Sequence, residues 1–95
     1  MEKEEPVKIP ITRELDLHTF RPSEIGELLP EYFNECRKLG ILRVRVIHGK
    51  GTGALRDSVH RLIARMPEAV SYQYPAEAEC GGWGATWVNL GPQEN

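Results

Sequence analysis

The sequence predicts an α/β fold: a two-layer sandwich of order βαβαββ, a mixed four-stranded sheet with two helices on one face. Three observations predict it. Four short segments have the residue pattern of pleated strands, most with a period of two. Two longer segments repeat apolar residues at spacings of three and four, and glycine or proline marks most junctions. Two helices cover both faces of such a sheet poorly, so they share one. Ninety-five residues, 40% hydrophobic and 27% charged, make one domain with a modest core.

Residues 1–12 mix Glu and Lys with Pro6 and Pro10 and read as a tail. Residues 13–18 read as a short strand, with Leu15 and Leu17 on one face and Glu14, Asp16 and His18 on the other. Phe20-Arg21-Pro22-Ser23 opens a helix whose stripe is Ile25, Leu28, Leu29, Tyr32, Phe33, Cys36 and Leu39, and Gly40 caps it. Pro30 removes a backbone donor and crowds the carbonyl of Gly26, so a kink or two shorter helices are expected.

Leu42–Ile47 is a strand with Val44 and Val46 on one face and Arg43 and Arg45, expected to be exposed, on the other. A glycine loop, residues 48–53, leads into a second helix marked by Ala54, Leu55, Val59, Leu62, Ile63 and Met66 and closed by Pro67. His60 lies on that helix and is expected on a solvated face; Tyr72 and Tyr74 read as sheet packing. Val70–Tyr74 and Trp83–Leu90 are the last strands, joined by the loop 76–82. The domain is therefore expected over 13–90, with a C-terminal tail at 91–95. Its βαβ units cross over right-handed and run parallel.

No apolar run approaches the ~20 residues of a membrane span, and the polar N-terminus is no signal peptide. Cys36 and Cys80 make no disulfide framework and show no metal-ligand spacing, so no cofactor is expected, and a divalent ion has little to hold it. A cytoplasmic monomer is the expectation. Net charge is −2, but unevenly spread. Arg37 to Arg65 holds eight Lys or Arg against Asp57 alone, whereas both flanks are acidic. A polyanion would feel that local patch, because salt screens charges beyond about 10 Å.

Two histidines stand at predicted C-terminal strand ends, where ligands bind in open parallel sheets. Asp16 and His18 are two apart, so the carboxylate can orient the imidazole or stabilise its charged form. His48-Gly49-Lys50-Gly51-Thr52-Gly53 joins a strand to a helix; its glycines permit close backbone approach and Lys50 adds charge, which suits a phosphate. It is neither a Walker loop nor a dinucleotide fingerprint. Arg43, Arg45 and Arg56 could contact backbone phosphates, and Trp83 could stack on an unpaired base.

Three segments carry a resemblance: Leu15-Asp16-Leu17-His18, the run from Ile47 to Arg56, and Gly81-Gly82-Trp83-Gly84-Ala85-Thr86 with the strand after it. In order and spacing the chain resembles the small MutS-related (Smr) domain family over about residues 13–90. The resemblance implies the fold of the C-terminal domain of bacterial translation initiation factor three. It also implies nucleic-acid binding and, in many members, endonuclease activity on DNA or on RNA, including messenger RNA on ribosomes. Carried over residue by residue, it points to Asp16, His18 and His48 as catalytic and to Gly49, Lys50, Gly51 and Gly53 as the phosphate loop. The chain departs from many members in having Thr19, not glycine, after the first histidine. The expected activity is acid/base cleavage of RNA or branched DNA, with His18 as base and His48, Lys50 and the loop, Thr52 included, on the phosphate, or with base and acid roles exchanged between His18 and His48. The alternative is a non-catalytic nucleic-acid or ribosome-binding module.

Overall fold

A computed structural model describes residues 11–93. The chain runs β1 (Glu14–Asp16), α1 (Ile25–Lys38) after a 3-10 turn at Pro22–Glu24, β2 (Arg43–Ile47), α2 (Ala54–Ile63), β3 (Ala69–Gln73) and β4 (Ala85–Leu90). Two further 3-10 turns, Ala78–Cys80 and Gly82–Gly84, precede β4. The expected order βαβαββ is therefore present.

The sheet order is β1-β2-β4-β3. β1 pairs parallel with β2, and β4 lies antiparallel between β2 and β3. The second crossover thus leaves an empty lane that β4 fills, so β2 and β3 point the same way without touching. Val44 and Val46 of β2 and Val88 and Leu90 of β4 face the helices, with Ile25, Leu29, Phe33 and Cys36 of α1 and Val59 and Ile63 of α2 packed on them. This is the two-layer arrangement, with one sheet face left open.

Three local expectations need correction. α1 stays one helix with Pro30 inside it. Leu29, Tyr32, Phe33 and Cys36, buried on both sides of the proline, keep it one helix and not two, while exposed Gly26 leaves its unmet carbonyl to water. Residues 83–84 belong to a turn and not to β4, because the glycines on either side of Trp83 favour a tight bend. α2 ends at Ile63, three residues before Met66.

Most of the expected N-terminal tail, residues 1–10, lies outside the described residues, as do 94–95. Ile11 packs against the core, and the Thr12 carbonyl accepts the Tyr32 hydroxyl. At the other end Arg37 Nε donates to the Gly91 carbonyl at 2.7 Å, so the packed unit extends past both expected boundaries. Among the described residues no helix is long and apolar enough to cross a membrane.

Candidate active site at the ends of the first two strands

Strand alternation buries Leu17 and turns Asp16 and His18 outward. The Leu17 N–H donates to the Ile47 carbonyl at 2.7 Å, which carries the β1–β2 pairing one residue past the strand and fixes where His18 emerges. Asp16 Oδ1 accepts two bonds from His18: the backbone N–H at 3.0 Å and Nδ1 at 2.6 Å. A carboxylate only accepts, so Nδ1 carries the proton and Nε2 is the nitrogen presented outward. These bonds from His18 hold the Asp16 carboxyl below the usual carboxylate range. Both side chains are more than half exposed, so the pair is open to a ligand.

The glycine loop lies beside it. Gly49 has φ +81°, and a Cβ built there would come within 3.4 Å of the His18 Cβ. The positive φ favours glycine there, and a side chain would lie in contact with His18. The His48 and Gly49 N–H groups both donate to the Gly84 carbonyl at 2.9 Å, which ties the loop to the start of β4. Gly53, also at positive φ, caps α2, and the Arg56 guanidinium folds over the space its side chain would fill. Thr52 Oγ1 accepts the Ala54 N–H at 3.3 Å. Together they form a shallow cleft of about 200 Å³, lined by His18, Phe20, Lys50 and Arg56 with the glycine loop as floor. Lys50 is exposed at its mouth.

His48 lines the same cleft, so the structure brings both histidines to one rim. Its ring, however, turns inward and is only 4% exposed. Nδ1 lies 3.0 Å from the Gly49 carbonyl and Nε2 lies 2.9 Å from Thr86 Oγ1. The carbonyl can only accept, so Nδ1 holds the proton; in the neutral ring Nε2 is an acceptor and Thr86 donates to it. The Thr86 oxygen then accepts from His60 Nε2, also at 2.9 Å. Burial pushes the His48 pKa down, which favours this neutral form. Both His48 nitrogens are thereby engaged inside the protein.

Thr86 and His60 are the residues that sequence reasoning missed or misread. His60 is not on a solvated face. Tyr72 stacks on its ring at 4.9 Å between centroids and Tyr74 meets it edge-on at 4.8 Å. A signal was present: Thr86 alternates in phase with Val88 and Leu90, and a hydroxyl at an inward position needs a buried partner.

Arg43 and Arg45 lie on the open sheet face and do not line the cleft. Arg45 is paired with Glu14 at 2.6 Å, and the Arg43 guanidinium sits 4.0 Å over the Trp87 ring. Trp83 is 60% exposed and touches Tyr74 edge-on, and Trp87 lies half-buried on the sheet, so neither tryptophan is in the core. Among the described residues no three His, Cys, Asp or Glu side chains are grouped to hold a metal ion.

The sequence model of the Smr domain matches residues 15–91, nearly the whole described chain. The chain belongs to the Smr family. Endonuclease MutS2 of Lactobacillus gasseri is 43% identical over 77 residues, and that of Halothermothrix orenii 38% over 76. These matches cover 81% and 80% of this chain but 10% of each relative, so the Smr domain spans about a tenth of their length. The crystal structure of the Smr domain of Thermus thermophilus MutS2 superposes with a TM-score of 0.78 at 34% identity, covering 85% of this chain and all of that one. YdaL, a stand-alone small MutS-related protein of Escherichia coli, gives 0.75 at 25%, covering 82% of this chain and 63% of YdaL. The Smr fold, a mixed four-stranded sheet with helices, is thus shared beyond the motifs.

Proposed function

We propose that this Smr domain is a nuclease that cleaves a phosphodiester at the His18 cleft. The observation that carries the reading is the Asp16–His18 pair, open to solvent and packed against Gly49 of a lysine-bearing loop. His18 Nε2 takes the proton of the attacking hydroxyl, either a ribose 2′-hydroxyl or water. The oxygen then bonds to phosphorus, the bond to the leaving oxygen breaks, and solvent protonates that oxygen. Asp16 stabilises the imidazolium that forms. Lys50 and the loop N–H groups beyond Gly49, which the Gly84 carbonyl does not engage, face the charge that develops on the phosphate. His48 acts from inside, holding the loop in shape through Gly49 and Thr86. MutS2 relatives bear the name endonuclease, which supports the same class of chemistry.

One observation favours a second reading, a binding module for nucleic acid or a ribosomal surface. With both His48 nitrogens engaged, His18 is the one histidine presented to the cleft, and an acid partner for the leaving oxygen has no histidine to supply it. Incubation with end-labelled single-stranded RNA and branched DNA, with and without EDTA, separates the two. The nuclease reading expects product from the purified chain and none from His18→Ala. Binding without product, or full activity in His18→Ala, overturns it.

A further inference from the structure

The basic middle of the chain is divided between two faces, and they are not equivalent. On the open sheet face, Glu14 neutralises Arg45, and Arg43 lies on Trp87 beside Gln73. Glu77 Oε1 accepts the Trp87 indole N–H at 2.9 Å and adds negative charge there. A polyanion gains little on such a surface.

The helical side differs. Pro22 lines the His18 cleft and also a second hollow of about 220 Å³, bounded by Ser23 and Gly26 on one side and Ser58, Arg61 and Arg65 on the other. Leu55 and Arg56, in the wall of the cleft, lie one turn before Ser58 on α2. The two hollows therefore follow one another as a trough between the start of α1 and α2. Arg61 on α2 and Arg65 in the turn that follows it both line this hollow. Arg61 reaches the Ser58 hydroxyl at 3.3 Å, and among the described residues neither arginine has an ion pair. Two of the nearby acids are committed elsewhere, Asp57 to Arg56 and Glu24 to the Arg21 N–H, while Glu27 lies beside Gly26 on α1. Gly26 presents no side chain, and a Cβ there would meet nothing within 4 Å, so that wall is open.

We infer that the nucleic-acid strand held at His18 continues along this trough, with its next phosphates on Arg61 and Arg65, and not across the sheet. The inference rests on the reading of the cleft as a phosphodiester site. Guanidinium groups are the side chains that bind phosphate in forked pairs. A strand on this path passes Phe20 and Pro22, in the loop that follows Thr19.

The test is fluorescence anisotropy of the whole chain with short labelled single-stranded RNA and with DNA of the same sequence, titrated between about 50 and 200 mM salt. The double variant Arg61→Ala/Arg65→Ala is expected to bind both probes on the order of tenfold more weakly. It should also lose about 1.4 from the slope of log affinity against log salt, ~0.7 for each phosphate contact. Gly26→Glu, which places a carboxylate in open space at the trough, is expected to weaken both probes without lowering the melting temperature. Unchanged affinity and slope in both variants, with wild type binding normally, overturns the trough and leaves the cleft reading intact. Loss on Arg43→Ala instead places the strand on the sheet and has the same effect. Wild type that binds neither probe removes the cleft reading and the trough with it.

Discussion

His48 and His60 meet at one hydroxyl: Nε2 of each ring lies 2.9 Å from Oγ1 of Thr86, which is fully buried. The donor order runs from His60 through Thr86 to His48 and ends on the Gly49 carbonyl. Strand β4 and helix α2 are thereby tied to the loop that faces the cleft.

Thr86→Val keeps the shape and removes the link. Two ring nitrogens then lose their partner inside the protein, which costs on the order of 2–3 kcal/mol. Thr86→Ser keeps the hydroxyl and loses a buried methyl, at about 1 kcal/mol. Urea denaturation ranks the two. If the valine variant is the more stable, the hydroxyl is not the link.

The same pair makes stability depend on pH. Burial pushes both histidine pKa values below 6.5, and His48 and Arg56 lower His60 further. Below 6.5 the unfolded chain takes up protons before the folded chain does, so stability is full above that pH and falls as pH drops through it. Thermal melts at about pH 7.5 and 5.5 are expected to show the decline, and His60→Gln to flatten it. A melting temperature that rises on acidification contradicts the assignment. Asp16 acts in a lower window, below its ordinary 3.8.

Asp16→Asn keeps a side-chain oxygen for the His18 ring but removes the charge that stabilises its imidazolium. Turnover is expected to fall by a factor on the order of 10²–10⁴, comparable to His18→Ala, with nucleic-acid affinity little changed. Single-turnover cleavage and anisotropy measure the two separately. Equal losses in binding and turnover would make Asp16 a binding residue.

Gly49 and Gly40 separate backbone strain from site geometry. Both have positive φ, but a Cβ at Gly49 meets His18 at 3.4 Å, and one at Gly40 meets nothing. Alanine at either position costs about 1–2 kcal/mol of stability. Only Gly49→Ala is expected to reduce cleavage as well, because the strained backbone there lies in contact with His18. Equal activity in the two variants shows that the approach of Gly49 to His18 does not matter.

Much of the fold was legible because its signals are local. Val44 and Val46 alternate with Arg43 and Arg45, the α1 stripe repeats at three and four, and Gly40 stops the helix where it stands. Element ends were less legible. Trp83 reads as strand from its own preference, yet the glycines around it make a turn. Pro30 reads as a break, yet packing on both sides keeps the helix whole. At the site, Asp16 and His18 were legible from spacing alone because strand period two needs no other information. The condition of Arg45 was not, since its partner Glu14 arrives from a neighbouring strand 31 residues away.

By itself the sequence determined the order of elements, the faces that β1 and β2 bury, and the placing of two histidines beside a glycine loop. These follow from side-chain period and backbone freedom within a few residues. Tertiary structure decided which histidine can do chemistry. An imidazole's proton and direction are set by what its nitrogens touch: His18 finds Asp16 two residues away, and His48 finds Thr86 38 residues away, on β4. The first contact leaves a nitrogen facing the cleft, and the second turns the ring into the protein.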